Sequence, residues 1–593
     1  MSRLAVLWSG TSLRAKSAQA LESGSVYPGF HQGQPFRWLK GPWAYLGVNG
    51  ARHFLWRLGV LHSVVDEQWL QSASVEEEVD ALIIPEADAL ESRSIERLQE
   101  IAIRKRIWLI IAGVTNLPNS LLGVSERSMY TPQGYLWVQD DLPGLRGMPM
   151  EYPISPPAYP FDLVKPMGGT MAFGRLKDCN AGDGNIPFSL QGAAFLQHDR
   201  VMWIPSRVFE YLGGLLQGHA DWWPLHRQLE PEAFIYLDRL CQRIAGWLRR
   251  SGAGRLLDLR VPPWGSYQHA VILRHDTDDS FDSTYWQIER DGGWPATYAV
   301  LNDRRAQGWV ERLKATPEME LALHYRTNRE NFWNRFRLRF SHQIPGPDRS
   351  ACIGEGLIRQ VRQARFIFEK IQTIHRHYQY VYYPELLLAL EALRKAEPAI
   401  IGSGSLGRFQ IIRYGGTETV KMTHPSVGVP FCFPIRPMIS TIERHVELPL
   451  WESSALSEPN PDQIQRCVQF AQELPGGCYT WVYHPAHARG RSFTPEGTRN
   501  WFDFARRQVD RSWWKATAAS VFRRVQYWSQ LNFRRSQSGL ELLNPAPEPI
   551  LDVVLKGPQG VVRIERIEAG AIVKLPHPLD VEPAQVQSGQ VGR

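Results

Sequence analysis

The sequence predicts an α/β protein, and two patterns carry that prediction. In the first half, strand-like apolar runs at 79–85 and 107–113 flank a helix-like segment at 92–105. Strand, helix and strand at this spacing are typical of a βαβ unit in a doubly wound sheet. In the second half, apolar runs end abruptly in Asp or His, as strands do at the open edge of an α/β sheet or barrel. Because 593 residues are too many for one core, we expect two or three domains.

The first domain is predicted to span residues 1–250. It is expected to begin with a strand at 4–7 and to end with a late strand at 200–204 and a closing helix at 231–249. The helix at 92–105 is expected to start at Ser92 or Ser94, because a serine hydroxyl can accept a hydrogen bond from a free N–H of the first turn. A linker that contains Gly, Pro and Ser follows at 250–265.

The two apolar runs of this domain, Ala-Leu-Ile-Ile-Pro at 81–85 and Leu-Ile-Ile-Ala-Gly at 109–113, resemble class I glutamine amidotransferase-like domains. Active members of that group need a nucleophilic cysteine on a sharp turn. The first cysteine of this chain is Cys179, far beyond that place. The resemblance therefore implies an amidotransferase-like domain without the nucleophile, which serves assembly or substrate positioning.

Residues 271–279, Val-Ile-Leu-Arg-His-Asp-Thr-Asp-Asp, are the most informative stretch of the chain. A buried strand here delivers carboxylates, which cost free energy unless a metal, a partner charge or a proton offsets them. The alternative is an ordinary polar loop after a strand. What decides between the two is whether other segments deliver partners for the acids.

Three further segments deliver histidines in a similar way. The apolar runs at 320–325 and 479–485 end near His324 and His484. An amphipathic helix predicted at 355–375 would place His375 and His377 at its C-terminal end, and another helix is predicted at 384–395. Aspartate oxygens and histidine nitrogens are the ligands of a catalytic Zn²⁺. A lone histidine at a strand end is more often structural, so the repeated pattern carries the hypothesis.

These motifs together resemble the polysaccharide deacetylases of carbohydrate esterase family four, over about 265–510. Residues 274–278 read Arg-His-Asp-Thr-Asp, which resembles the first motif of a divergent branch of that family. The later motifs are matched by the pairs at 323–324 and 377–378 and by Val-Tyr-His at 482–484. The segments at 402–415, 429–431 and 447–449 match the branch in the same order. The resemblance implies that residues 265–512 form a distorted (β/α) barrel.

The resemblance also implies metal-dependent hydrolysis of an N-acetyl or O-acetyl group on a sugar or glycan precursor. Asp276 would be the general base and His484 the general acid. Asp278, His324 and His377 would hold a divalent metal, with Zn²⁺ expected, and no other cofactor site is expected. The predicted substrate contacts are Arg274, Tyr325, Arg413 and Trp481.

The sequence departs from the family in the metal site. Classical members have a second histidine four residues after the first, and here that place is Asn328, a poor metal ligand. Whether His375 or His377 faces the metal stays open. Two alternatives therefore remain, an inactive carbohydrate-binding or assembly subunit and a hydrolase of another C–N bond on the same barrel.

Residues 513–575 are predicted to form a helix followed by a small β-meander. The helix covers 513–534, the strands cover 550–556, 561–567 and 572–575, and a disordered tail spans 576–593. The basic residues of the helix leave a peripheral membrane contact open, although packing on the body of the protein is the favoured interpretation.

Composition limits the remaining function classes. The net charge of +7 is mild for this length, and no basic, aromatic-rich motif indicates nucleic-acid binding. The six cysteines are scattered, which suits a reducing compartment. No signal peptide or transmembrane run is visible, so we expect a cytoplasmic protein. The sequence does not determine the oligomeric state.

Overall fold

The fold is known from a computed structural model of the chain. The structure describes residues 4–15, 43–44, 46–72, 75–132, 136–139, 151–155, 160–178, 192–216, 233–278, 280–303, 306–325, 346–376, 384–406, 409–414, 417–422, 434, 436, 438–440, 445–447, 450–454, 456–488, 498–536, 539–558 and 560–575. Among these residues, none of the helices combines the length and the apolar character needed to cross a membrane.

The first half of the chain contains strands β1 to β12. In chain order they are Leu4–Leu7, Trp43–Ala44, Ser63–Val65, Ala81–Ile84, Trp108–Ala112, Val124–Tyr130, Leu136–Gln139, Glu151–Ser155, Phe161–Pro166, Met171–Asp178, Ala193–His198 and Val201–Ile204. Helices α1 to α7 are Leu46–Arg57, Glu67–Leu70, Val75–Glu78, Ser92–Arg104, Asn119–Leu122, Val208–Leu216 and Ala233–Arg250.

Nine of these strands form one sheet in the order β3-β1-β4-β5-β12-β11-β10-β7-β8. The neighbours from β3 to β12 pair in parallel, and those from β12 to β8 pair antiparallel. The parallel strands β4 and β5 are almost wholly apolar and buried, as strands covered on both faces are. The strands predicted at 4–7, 79–85, 107–113 and 200–204 are confirmed as β1, β4, β5 and β12, but the sheet is mixed.

The start of helix α4 corrects one prediction. Its N-cap residue is Glu91, which makes no side-chain capping hydrogen bond, so neither Ser92 nor Ser94 caps the helix. Ser94 is buried and its hydroxyl accepts a hydrogen bond from the Gln71 side chain at 3.2 Å. The Ser94 hydroxyl therefore makes a contact with a residue distant in sequence instead of capping the helix.

The second half contains strands β13 to β24. They are His269–Asp276, Thr297–Leu301, Glu320–Tyr325, Thr373–Arg376, Gly402–Leu406, Phe409–Tyr414, Thr417–Met422, Met438–Ser440, His445–Glu447, Trp451–Ser454, Leu456–Ser457 and Cys478–Val482. Helices α8 to α13 are Thr284–Asp291, Ala306–Lys314, Gly346–Arg365, Pro384–Ala396, Pro461–Glu473 and Thr498–Gln508.

A second sheet runs in the order β22-β17-β16-β15-β14-β13-β24-β23, and every pair in it is parallel. Its first and last strands, β22 and β23, are separated by a single residue in the chain. The sheet therefore curls so that its two edges approach one chain segment. This arrangement confirms the α/β class, and the deacetylase-type barrel stays a prediction.

Strand β16 corrects the prediction of a helix over 355–375. Helix α10 ends at Arg365, and Thr373–Arg376 is a strand that pairs with β15, with His324 opposite His375. The helical periodicity of the sequence is genuine as far as Arg365. Beyond it, pairing with β15 supplies hydrogen bonds that the pattern of apolar residues did not reveal.

The C-terminal part differs from the prediction in two places. Residues 513–516 form strand β25, which pairs in parallel with β13, and only then does helix α14 cover Ala518–Trp528. Strands β26 to β30 are Asn532–Ser536, Gly539–Leu543, Ile550–Gly557, Gly560–Ile567 and Ile572–Lys574. Strand β30 pairs with β27 and not with β29, so the predicted meander is a hairpin beside a three-stranded sheet. The predicted tail, 576–593, lies outside the described residues.

The two predicted domains share buried contacts. One apolar cluster contains buried residues of both, for example Val6 and Ile110 with Val271 and Leu323. Arg57 of α1 forms an ion pair of 2.9 Å with Asp238 of α7 and donates to the carbonyl of Leu474. The boundaries 1–250, 265–512 and 513–575 stay predictions.

Candidate functional site

The candidate site lies at the carboxyl edge of the curled sheet. Strand β13 is buried along its whole length and ends at Asp276, and Asp278 follows two residues later. His324 precedes the last residue of β15, and His484 follows β24. Because parallel strands end at the same edge, these polar side chains come together there.

Asp278 is the residue on which the histidines converge. Its Oδ1 lies 3.1 Å from Nε2 of His324, and its Oδ2 lies 3.7 Å from Nε2 of His484. The Asp278 side chain is 28% exposed, whereas that of His324 is 1% exposed. Solvent and a substrate can therefore reach the Asp278 carboxylate, whereas His324 beside it is buried.

The backbone at Asp278 adopts a left-handed conformation with φ of 43°. A second residue of the site, Glu458, has φ of 45°. Such conformations cost about 1–3 kcal/mol for residues other than glycine and cluster at functional sites. Two strained acidic residues beside the same histidine support a functional role for this edge.

Glu458 follows the short strand β23 and holds His484 in place. Its Oε1 accepts from the backbone N–H of His484 at 2.7 Å and lies 2.8 Å from Nδ1 of the same histidine. Nδ1 of His487 lies 3.0 Å from that oxygen. Among the described residues, no hydrogen-bond partner is found for the buried Oε2 of Glu458. Sequence reasoning missed Glu458 and His487, although the spacing His-x-x-His at 484–487 was visible.

The electrostatics favour a protonated His484. Burial by itself would lower the pKa of His484, but the hydrogen bond and charge of Glu458, followed by the charges of Asp276 and Asp278, raise it to about 9. Burial by itself would raise the pKa of the Glu458 carboxyl. The hydrogen bonds from His484 and His487 nevertheless keep this pKa below its usual value. At neutral pH His484 can therefore donate a proton from Nε2.

Asp276 is held differently from Asp278. Nε and Nη2 of Arg274 donate to its two oxygens at 2.8 and 2.7 Å. Burial would raise the pKa of Asp276, but the charge and hydrogen bonds of Arg274, together with the charges of His324 and His484, hold it below its usual range. A carboxylate bound on both oxygens is a weak proton acceptor, so the predicted general base is the least accessible acid of the site.

Arg274 also connects the site to the interior of the sheet. Its Nη1 donates to the carbonyl of Gly404 at 2.7 Å and lies 3.4 Å from Nδ1 of His375. Nε2 of His375 lies 3.2 Å from the hydroxyl of Thr373. Both nitrogens of His375 thus face interior partners, and burial followed by the charge of Arg274 lowers its pKa. His377, the other predicted candidate for the metal, lies outside the described residues, as does Asn328.

Three of the four predicted substrate contacts are buried side chains. Arg274 is fully buried, and Tyr325 and Trp481 are 0% and 1% exposed. The Trp481 ring packs 6.4 Å from that of Trp513. Because both side chains are buried, the structure does not support a sugar contact through Tyr325 or Trp481, and that contact stays a prediction. Arg413 lies on β18, and its side chain is outside the described set.

Two sets of side chains have the chemistry of a metal site. Asp278 and His324 provide an oxygen and a nitrogen 3.1 Å apart, which fits two of the three predicted ligands. Glu458, His484 and His487 offer three ligand atoms that all lie within 4.8 Å of one another, so this group could also hold a metal ion. The second set was not predicted from the sequence.

Comparison with known proteins gives no family for this chain. No family model matches it, and no curated protein matches it. The solved structures that resemble it include α-L-fucosidase isoenzyme 2 from Paenibacillus thiaminolyticus, with 14% identity, a TM-score of 0.27, and coverage of 44% of this chain and 34% of that one.

Two others are a candidate polysaccharide deacetylase involved in O-antigen biosynthesis from Bordetella bronchiseptica and a candidate ThuA-like protein from Bacteroides uniformis. The first has 12% identity, a TM-score of 0.23, and coverage of 44% of this chain and 90% of that one. The second has 11% identity, a TM-score of 0.23, and coverage of 34% and 81%. Because all three TM-scores lie below 0.5, these similarities carry no weight for fold or activity.

Proposed function

We propose that the chain is a hydrolase that removes an acetyl group from the nitrogen, or from an oxygen, of a sugar in a glycan or glycan precursor. The observation that carries the proposal is the convergence of His324 and His484 on Asp278 at the carboxyl edge of the sheet. Acyl transfer to water needs a proton donor for the leaving group and a centre that stabilises the oxyanion. This edge contains side chains suited to both tasks.

In this proposal His484 is the proton donor and Glu458 positions it. Glu458 binds Nδ1, which leaves Nε2 directed towards Asp278 and the leaving group. Asp278 and His324 would hold the divalent ion, for which Zn²⁺ fits the donor set. Such an ion would act as a Lewis acid on the acyl carbonyl. Asp276 keeps its proposed role as base only if its pairing with Arg274 loosens when substrate binds.

Activity is tested by incubating the purified chain with N-acetylated oligosaccharides and measuring acetate and free amine. We expect turnover in the wild type and a loss of about 10²- to 10⁴-fold in His484→Gln, because general acid catalysis contributes that much. Equal turnover in His484→Gln and wild type would remove His484 from the mechanism. His62→Gln is a matched control, since His62 lies in the first half of the chain.

The position of the metal is tested separately from activity. Metal content is measured in purified His324→Ala and His487→Ala variants, each lacking one histidine. If Asp278 and His324 hold the ion, His324→Ala loses it and His487→Ala retains it. The opposite result would assign the ion to Glu458, His484 and His487. Neither result depends on the identity of the substrate.

A carbohydrate-binding or assembly subunit is the second candidate. The observation that favours it is the bidentate ion pair that Arg274 makes with Asp276, because it occupies the predicted base. In that case wild-type protein would bind acetylated oligosaccharides without releasing acetate. Acetate release that depends on His484 would exclude it.

A further inference from the structure

A cavity lies at the edge of the curled sheet opposite the candidate site. It has a volume of about 800 Å³ and is lined by residues at or before the amino ends of β14 and β15, among them Pro295 and Glu320. Segments of β25 and α14 form another wall. Because amino and carboxyl ends of parallel strands lie at opposite edges, this cavity is separate from the site at Asp278.

Glu320, one of the acids that line this cavity, accepts hydrogen bonds from three donors. Oε2 of Glu320 accepts from the hydroxyl of Thr297 at 2.8 Å and from the backbone N–H of Ala519 at 2.9 Å. Its Oε1 accepts from the hydroxyl of Thr373. Three donors on one carboxylate leave it little capacity to bind a cation, and they spread its charge into the protein.

The lining side chains carry more positive than negative charge. Lys314 pairs with Glu369 at 2.6 Å, so these two charges offset each other. The other cations that line the cavity are Lys370, Lys515 and Arg523, and the other acids are Glu318 and Glu320. The lining as a whole therefore has four cations against three acids. The Lys515 ammonium group lies 4.3 Å from the centroid of the Trp294 ring.

The other walls suit a ligand of small-molecule size. Trp514 is half-buried and lines the cavity, as do Thr517 and Ser520, whose hydroxyls lie 2.9 Å apart. The volume falls within the range of about 300–1,000 Å³ that is typical of small-molecule pockets. Lysine and arginine side chains on several elements are the groups that bind phosphate and carboxylate.

We propose that this cavity binds a small polyanion, a molecule with two or more phosphate or carboxylate groups held by Lys370, Lys515 and Arg523. The inference is independent of the hydrolase proposal, since it rests on residues at the other edge of the sheet. Together with the proposed hydrolase site, it would give the protein two ligand sites, one at each end of the parallel strands.

The test is calorimetric titration of the full chain at low ionic strength with inorganic pyrophosphate and, in a second arm, with citrate. We expect one site for at least one of the two anions, and the preferred anion tells phosphate from carboxylate. In the triple variant Lys370→Gln, Lys515→Gln, Arg523→Gln, affinity should fall by at least about tenfold, since each lost charge-assisted contact contributes.

A matched triple variant separates this site from general attraction to a basic protein. Arg359→Gln, Lys556→Gln, Lys574→Gln removes the same residue types from exposed positions that do not line the cavity. It should bind like wild type. Equal affinity in the two triple variants, or no heat with either anion, would overturn the proposal. If the cavity variant unfolds, the single variant Lys370→Glu at an exposed position replaces it, with the same expected loss.

Discussion

The carboxyl edges of the two sheets carry polar side chains in different states. In the first sheet, Arg207 follows β12 and forms ion pairs with Asp88 and with Glu210, while Oε1 of Glu86 accepts from the backbone N–H of Gly47. In the second sheet, two imidazoles face Asp278, which is 28% exposed. At the first edge a permanently charged arginine pairs with two acids, whereas at the second edge two imidazoles, which can titrate, face one partly exposed acid.

A place at the carboxyl edge is therefore not enough to make a catalytic site. An arginine stays charged over the whole physiological range and can only compensate an acid. A histidine can hold or release a proton near neutrality. We therefore infer chemistry at the second edge and structural roles for the ion pairs at the first.

The largest expected effect concerns the buried arginine of each edge. Arg274→Leu should destabilise the protein by about 3–5 kcal/mol, because it leaves Asp276 buried and unpaired. Arg207→Leu should destabilise the protein by a similar mechanism, because Glu210, whose side chain is 2% exposed, loses the cation with which it pairs. Urea denaturation of both variants gives the two losses. An Arg274→Leu variant as stable as wild type would show that the pair contributes nothing.

The next expected effect is on the pH dependence of turnover, which a titrating histidine changes and a permanently charged arginine does not. His484 acts while protonated, so turnover should fall as pH rises through about 9, the pKa that Glu458 helps to raise. In Glu458→Gln that alkaline limb should move down by about one to two pH units, which lowers turnover at pH 8.5 by roughly tenfold. Rates between pH 6 and 10 measure the shift.

Glu210→Gln, at the edge with permanent charges, is the control for this shift. It should leave the alkaline limb in place, because Glu210 pairs with Arg207 and not with a histidine. An unchanged limb in Glu458→Gln would contradict the positioning of His484 by Glu458.

The pH dependence of stability compares one buried histidine from each half. Burial, followed by the charge of Arg57, lowers the pKa of His53 to about 3 and that of His269 to about 4. Both stay neutral in the folded protein, whereas the unfolded chain binds protons below about pH 6.5. Stability should therefore fall with pH below about 6.5, by about 1.4 kcal/mol per pH unit for each histidine, until its folded pKa is approached.

Unfolding free energies at several pH values between 4.5 and 7.5 check this slope. His53→Gln and His269→Gln should each flatten it, and the double variant should flatten it most. A slope that is the same in wild type and the double variant would assign the pH dependence to other groups.

For glutamine hydrolysis we expect no activity at all. The first half should not hydrolyse glutamine, since its one cysteine before Cys241 is Cys179, which lies beyond the expected place of a nucleophile, and burial strongly raises the pKa of the Cys241 thiol. Ammonia release from glutamine by the full chain is the measurement. Release that disappears in Cys179→Ala would refute the expectation.

Much of the fold was predictable where a strand is buried on both faces. The strands β1, β4, β5, β13 and β24 read as short apolar runs, and all appear near the predicted positions. Strands β7, β8, β10 and β11 of the first sheet were not predicted. Strand β10, for example, is largely exposed and mixed in polarity, so it carries no apolar run and depends on pairing with its neighbours.

The candidate site was predictable in part for the same reason. Asp278, His324 and His484 each lie at or just after the end of an apolar run, and parallel pairing brings them to one edge. Glu458 follows a strand of two residues, too short to produce a pattern. Arg274 lies two residues before Asp276, so both side chains are on the same face of the strand, and this much was visible in the sequence. The sequence did not show that the two form an ion pair.

The sequence by itself determined the α/β class and the segments that present Asp and His, because apolar runs and chain reversals are local properties. Only the tertiary structure decided which acid pairs with the arginine and which faces the histidines, and which histidine faces the interior. His375 and His324 lie opposite each other on neighbouring strands, yet one faces Arg274 and the other Asp278. Side-chain partners are set by strand register and curl, and these depend on contacts between residues far apart in the chain.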